Sequence, residues 1–198
     1  MRFWYAIIAM LVLIACSQNA GNKNHVPSAG IALQPLGAFP ESLTTALADS
    51  LRNTLHQQIV LLPKRPLPKQ AYYQPRNRYR ADTLIRLAAA QAHQSGYSTV
   101  VYLTVNDISH SNNKNNDYGI FGLGYQPGNG AAVSTFRLKT NYRSRLFKVV
   151  IHELGHNLGL PHCKAKACYM QDAHGKMVQD SLIGFCEACS SKLTHLRK

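Results

Sequence analysis

Apolar positions change period several times along this chain, and each change predicts an element. Leu43, Leu47, Leu51 and Leu55 recur every four residues behind Pro40 and Glu41, which marks an amphipathic helix whose proline and acid suit its first turn. A second helix is expected from about Asp82, a candidate N-cap, through TLIRLAAAQAHQ to Gly96. A third runs from about Tyr142 through Leu146, Val149, Val150 and Leu154 to Leu158, with Gly159 as its stop. IALQPLGAF and QIVLLP read as short strands, and STVVYLTV, β-branched and almost wholly apolar, as the central one. YGIFGLGY and AAVSTFRL flank QPGNG as an expected hairpin. The glycines of its first arm suit an edge, or a place where another backbone comes close. Between these elements, Pro63–Arg80 reads as a surface excursion and NDISHSNNKNND as a loop.

The first residues obey no period. Arg2, an apolar run from Phe3 to Ile14, and Ala15 before Cys16 have the layout of an export signal, too short for a transmembrane helix; the other reading is a buried apolar helix with an incidental cysteine. LIAC resembles a bacterial lipobox, which implies lipidation of Cys16 and anchoring to a bacterial membrane, periplasmic or at the cell surface. The polar tract to Gly30 then serves as a tether. Residues 1–15 are thus expected as signal, 16–30 as tether and 31–198 as one domain.

With 198 residues the chain is long enough for a single core, and its composition excludes collagen, disorder and disulfide-dense classes. The net charge is +13, with six cations and no acid between Pro63 and Arg80. Export makes a nucleic-acid partner unexpected, leaving an anionic membrane surface, acidic substrates or a merely solvated face.

Chemistry concentrates in HELGHNLGLPHCKAKACYM, residues 152 to 170. His152 and His156, four apart on a helix, share one face a turn apart, within reach of one zinc. Gly159 permits a positive φ and Pro161 bars further helix, so His162 can return beside the same metal. Three histidines leave a fourth position open, as a catalytic zinc requires. Glu153 should project into the cleft as the general base and acid. In a chain of this composition, H-E-x-x-H-x-x-G-x-x-H arises by chance about once in 10⁵ sequences. Cys163, Cys168, Cys186 and Cys189 form close pairs that suit either a four-thiolate zinc or two disulfides in an oxidising compartment. The remaining histidines, His25, His56, His93, His110, His174 and His195, have no partner spacing and read as surface or loop residues.

The histidine pattern resembles the metzincin metallopeptidases, and HCKAKACYM with FCEAC resembles the archaemetzincin family, in which a cysteine directly follows the third histidine. The resemblance covers residues 152 to 189, with weaker echoes in GIFGLGY and VSTFRL. It implies an α+β fold with a mixed twisted sheet bearing an antiparallel edge strand, two backing helices, an active-site helix and a small zinc-stapled C-terminal lobe. The lobes would divide at about residues 159 and 160. It further implies two zinc ions: a catalytic one on His152, His156 and His162 with Glu153 as base, and a structural one on Cys163, Cys168, Cys186 and Cys189. Met170, rather than Met177, would form the Met-turn. Asp172 stands where some metzincins place a tyrosine ligand, so none is expected there. Substrate would lie extended and antiparallel to an edge strand, for which YGIFGLGY is the candidate. The expected function is peptide hydrolysis by a monomer; the alternative is a surface zinc protein that binds a partner and hydrolyses nothing.

Overall fold

The structure, a computed structural model, describes residues 30–112, 117–172 and 179–196. The expected signal, Cys16, the tether up to residue 29, His25, His174, Met177 and the side chain of His195 lie outside the described residues. In chain order the elements are β1 (Ile31–Pro35), α1 (Glu41–Leu55), β2 (Ile59–Leu61), β3 (Tyr72–Tyr73), β4 (Arg78–Arg80), α2 (Ala81–Ser95), β5 (Thr99–Thr104), β6 (Ile108–His110), β7 (Tyr118–Ile120), β8 (Gly122–Gly124), β9 (Gly130–Ser134), α3 (Tyr142–Asn157) and α4 (Glu187–Leu196).

The main sheet has the order β2-β1-β5-β9-β8, parallel except for β8, which pairs antiparallel to β9 at the edge. β5 is central and all six of its residues are buried. Helices cover both faces, which is why the strands lack polar alternation. Ile31, Leu33, Val101, Leu103, Ala131 and Val133 pack with Leu43, Leu47 and Leu51 of α1 and Leu146, Val150 and Leu154 of α3. Their strand neighbours Ala32, Val100, Tyr102 and Ala132 point the other way, onto Leu84, Ile85, Ala88 and Ala92 of α2. Each fully buried leucine contributes about 1.5–3 kcal/mol of transfer free energy.

Several expectations need correction. YGIFGLGY is a hairpin arm only in its second half: β8 pairs antiparallel with β9 across the expected turn, but β7 pairs with β6 in a second sheet of order β3-β4-β6-β7. That sheet also claims parts of the supposed excursion and loop. It forms there because Asp107 and Asp117, each under a tenth exposed, need cations: Asp117 lies 3.4 Å from Arg78 and 3.0 Å from Arg80, and Arg137 grips Asp107 through two bonds of 2.8 Å. Buried carboxylates left without such partners would cost several kcal/mol each. Asp82 is not the N-cap of α2, which starts one residue earlier behind Arg80. Its carboxylate instead takes a 2.7 Å bond from His110, which sits in β6 rather than in a loop. Among the described residues no helix is long and apolar enough to cross a membrane.

The last residue of α3 ties that helix to the sheet. Buried Asn157 donates through Nδ2 to the carbonyls of Tyr125, at 2.9 Å, and Gly130, at 3.1 Å, and its own carbonyl accepts from Gly128 at 3.0 Å. Asn157→Ala should cost about 1–3 kcal/mol by orphaning buried acceptors. Asn157→Asp should cost more, because it aims an acceptor at two carbonyls. Thermal denaturation checks the order; an aspartate variant as stable as wild type would remove this role.

Candidate metal centre and cleft

α3 ends in a defined cap that brings the third histidine back. Leu160 donates to the Gly155 carbonyl at 2.9 Å and Gly159 to that of His156 at 2.8 Å, with Gly159 at φ 88°. This is the paired bonding of a Schellman motif, whose left-handed residue favours glycine. The reversed chain places His162 with its ring centroid 4.8 Å from that of His156 and 5.4 Å from that of His152. One ring nitrogen from each of the three histidines lies within 4.8 Å of the others.

The protons on two of these rings are set by the fold. His152 Nδ1 lies 2.7 Å from the Tyr169 carbonyl and His156 Nδ1 lies 2.8 Å from that of Leu160. A carbonyl only accepts, so each Nδ1 carries the proton and each Nε2 presents a bare lone pair. Burial lowers the pKa of His152 to about 4 and lowers that of His156, keeping both rings neutral near pH 7. The two Nε2 atoms face each other across 3.1 Å. With no proton between them this is repulsive, and a cation resolves it. Two nitrogens on a tetrahedral zinc stand about 3.3 Å apart, so the donors fit zinc. His162 is half exposed, with Asp172 3.4 Å from its Nδ1.

Glu153 is 7% exposed beside this cluster. Burial raises its carboxyl pKa to about 8, partly opposed by a hydrogen bond from the Gly124 backbone. β8 supplies its space: a Cβ on Gly122 would lie 2.9 Å from Glu153 Oε1 and 2.8 Å from Val149 Cγ1, and one on Gly124 would lie 2.9 Å from the Glu153 carbonyl. The glycines of the edge strand are therefore required by the close approach of α3. Between β8 and α3 opens a cleft of about 760 Å³, lined by Glu153, the three histidines and, further along, Phe136, Lys148 and Leu182.

Beneath the histidines, Met170 is fully buried, and a Cβ on Gly155 would lie 2.3 Å from its Sδ. Gly155, the first glycine of HELGHNLG, therefore keeps the turn through Met170 against α3. The four cysteines expected to share a metal also come together, their sulfurs all within 4.8 Å and none in a disulfide. Cys163 and Cys186 sulfurs stand 3.7 Å apart, close to the roughly 3.8 Å edge of a tetrahedral zinc–thiolate site. The Ala165, Met170 and Cys186 backbone amides donate to these sulfurs. Such bonds favour thiolates, and the Cys189 backbone leads in pulling the Cys186 thiol down to about 7, while burial pushes the Cys168 and Cys189 thiols up. Among the described residues, Leu160, Cys168, Met170, Cys189 and Leu193 form the buried core of this lobe, too small a cluster to stand without a staple.

Sequence reasoning missed Asn157, His110 and Lys148. The first follows a motif histidine directly, and Lys148 lies one turn before His152 on the same face; that spacing could have revealed it. His110 acquires its partner 28 residues away, so no local pattern announces it.

Residues 98–195 match peptidase family M54. The archaemetzincin of Halobacterium salinarum is 33% identical over 149 residues, which cover 69% of this chain and 82% of that protein. The archaemetzincin of Archaeoglobus fulgidus is 30% identical over 172 residues, covering 83% and 99%. Its crystal structure, a complex with malonate, superposes with a TM-score of 0.70 at 28% identity, over 82% of this chain and 99% of that one. The Methanopyrus kandleri archaemetzincin structure does so with a TM-score of 0.73 at 27% identity, over 86% and 96%. With the histidine and cysteine clusters in the same fold, the chain belongs to the archaemetzincin family of zinc metallopeptidases.

Proposed function

We propose that this chain hydrolyses peptide bonds with one catalytic zinc held by His152, His156 and His162, and with Glu153 carrying the proton. The observation behind this reading is the pair of opposed, proton-free Nε2 atoms beside a buried carboxyl. When bound, the zinc supplies a Lewis acid that acidifies water and polarises a carbonyl. Tyr169 and Leu160 hold two of the imidazoles in the tautomer that presents Nε2 to the cleft. Glu153 takes the proton from the attacking water and passes it to the departing amine. A cation close by favours its ionised form, against the burial that raises its pKa. β8 has one side paired to β9 and lies at the sheet edge, so its backbone offers an extended peptide main-chain hydrogen bonds.

The proposal includes a structural zinc on Cys163, Cys168, Cys186 and Cys189, residues 31–198 as one catalytic domain, and a monomer. On the sequence reading alone it also includes export and a lipid anchor at Cys16 on a bacterial membrane.

Glu153→Gln should leave the metals bound and lower the rate of peptide cleavage by about 10²–10⁴-fold, the usual weight of general acid–base catalysis. Cleavage at the wild-type rate would contradict the assigned role; no cleavage by a fully metallated wild type would favour the binding-module reading.

The same variant has a pH signature. Folding raises the Glu153 pKa from 4.5 to about 8, so in protein depleted of the histidine-site metal its contribution is fully present below pH 4.5 and is lost as pH rises through 8. Glutamine does not titrate. The gain in Tm on Glu153→Gln should therefore grow between pH 5 and pH 8, and a constant gain would contradict burial as the cause.

A further inference from the structure

The nine acids of the chain all lie among the described residues, and their placement leaves one half of the cleft cationic. Two of them line it, Glu153 and Asp172, both at the histidines. Asp107 and Asp117 are held by arginines, Asp82 by His110, and Asp49 by Arg52. Glu41 and Glu187 sit exposed in the first turns of α1 and α4. The other charged side chains lining the cleft are Arg137, Lys139 and Lys148. Arg137 is engaged by Asp107 through two bonds. Lys148 differs: its ammonium donates to the Asp180 carbonyl, at 3.4 Å, and acts on the Asp180 carboxylate through charge alone, that carboxylate being gripped in two bonds by Arg145. Among the described residues no carboxylate forms an ion pair with Lys148.

The direction of β8 fixes which part of a substrate meets this lysine. From Gly122 to Gly124 the strand passes first Val149 and Glu153, then Glu153 and Asn157, so it runs the same way as α3. A peptide antiparallel to β8 runs the opposite way, from the Asn157 end toward Val149 and Lys148. The segment following the cleaved bond therefore lies at Lys148, between the apolar walls of Val149 and Leu182.

We propose that Lys148 is a specificity-determining residue that binds a carboxylate on the leaving side of the substrate, a deepening that rests on the peptidase reading above. The carboxylate is either the side chain of an acidic residue just after the cleaved bond or the C-terminus of a short leaving piece. Lys139 and Arg137 add to the positive field around it. A charge-assisted bond in a partly buried site corresponds to a preference on the order of tenfold.

The test uses the full, zinc-loaded chain and two matched pairs of internally quenched peptides. One pair carries Glu or Gln after the cleaved bond with an amidated C-terminus; the other has Gln there and a short leaving piece with a free or an amidated C-terminus. In wild type, kcat/KM should favour the carboxylate member of at least one pair about tenfold, and the pair that responds identifies the source. Lys148→Ala should abolish that preference, and Lys148→Glu should turn it toward a lysine peptide. Equal rates within both pairs, or a preference that survives Lys148→Ala, would overturn the proposal. Anisotropy of the same peptides on zinc-loaded Glu153→Gln, with and without Lys148→Ala, reads the subsite without turnover. Tighter binding of the carboxylate member that depends on Lys148, where the zinc-loaded wild type cleaves none of the peptides, would uphold the subsite and sink the peptidase reading. Equal binding would sink the subsite.

Discussion

The hydrogen bond from His152 Nδ1 to the Tyr169 carbonyl, 2.7 Å long, is the constraint on which the rest of the site depends. It chooses the tautomer, aims Nε2 at the cleft and joins α3 to the turn that carries Met170. The Tyr169 ring is clamped edge-on between Phe147 and Phe185, with centroids 5.9 Å and 5.2 Å away. The carbonyl is thus held by packing as well as by its own partner. The Leu160 carbonyl does the same for His156, and its position follows from the Schellman cap at Gly159. One excursion of chain, leaving α3 and returning beneath it, orients both imidazoles and carries the third.

The same excursion carries two of the cysteines. Cys163 follows His162, and Cys168 precedes Tyr169, so both lie between Leu160 and Tyr169, the residues that orient the histidines. Backbone bonds reinforce the link: Cys163 donates to the Met170 carbonyl at 2.7 Å, and Tyr169 to that of Gly184 at 2.7 Å. With so small a core in this lobe, a metal on the sulfurs would stabilise the turn that sets the first site. A metal bound by residues disordered in the unfolded chain contributes its binding free energy to folding. Export to an oxidising compartment would place that staple in competition with disulfides.

Much of this was legible in the sequence, for physical reasons. Leu43, Leu47, Leu51 and Leu55 revealed α1 because a helix buried on one side must repeat near every fourth residue. STVVYLTV revealed the central strand because burial on both faces leaves no polar alternation. The histidine and cysteine clusters were legible because ligand spacing is a local requirement. The second sheet was not: its strands are two or three residues long and are held by ion pairs between distant positions, such as Arg78 with Asp117. The split of YGIFGLGY between two sheets happens at Phe121, where nothing in composition marks the change of partner. The cationic half of the cleft was hidden because it depends on where the nine acids are absent.

The central claim is that two metal sites share this one excursion of chain. Zinc K-edge X-ray absorption on the full chain, prepared from the compartment in which it resides, tests it most directly. The account predicts two zinc ions per chain and, averaged over both, a sulfur shell near 2.3 Å together with a nitrogen and oxygen shell at about 2.0–2.1 Å. One zinc per chain with nitrogen and oxygen neighbours and no sulfur shell would contradict it.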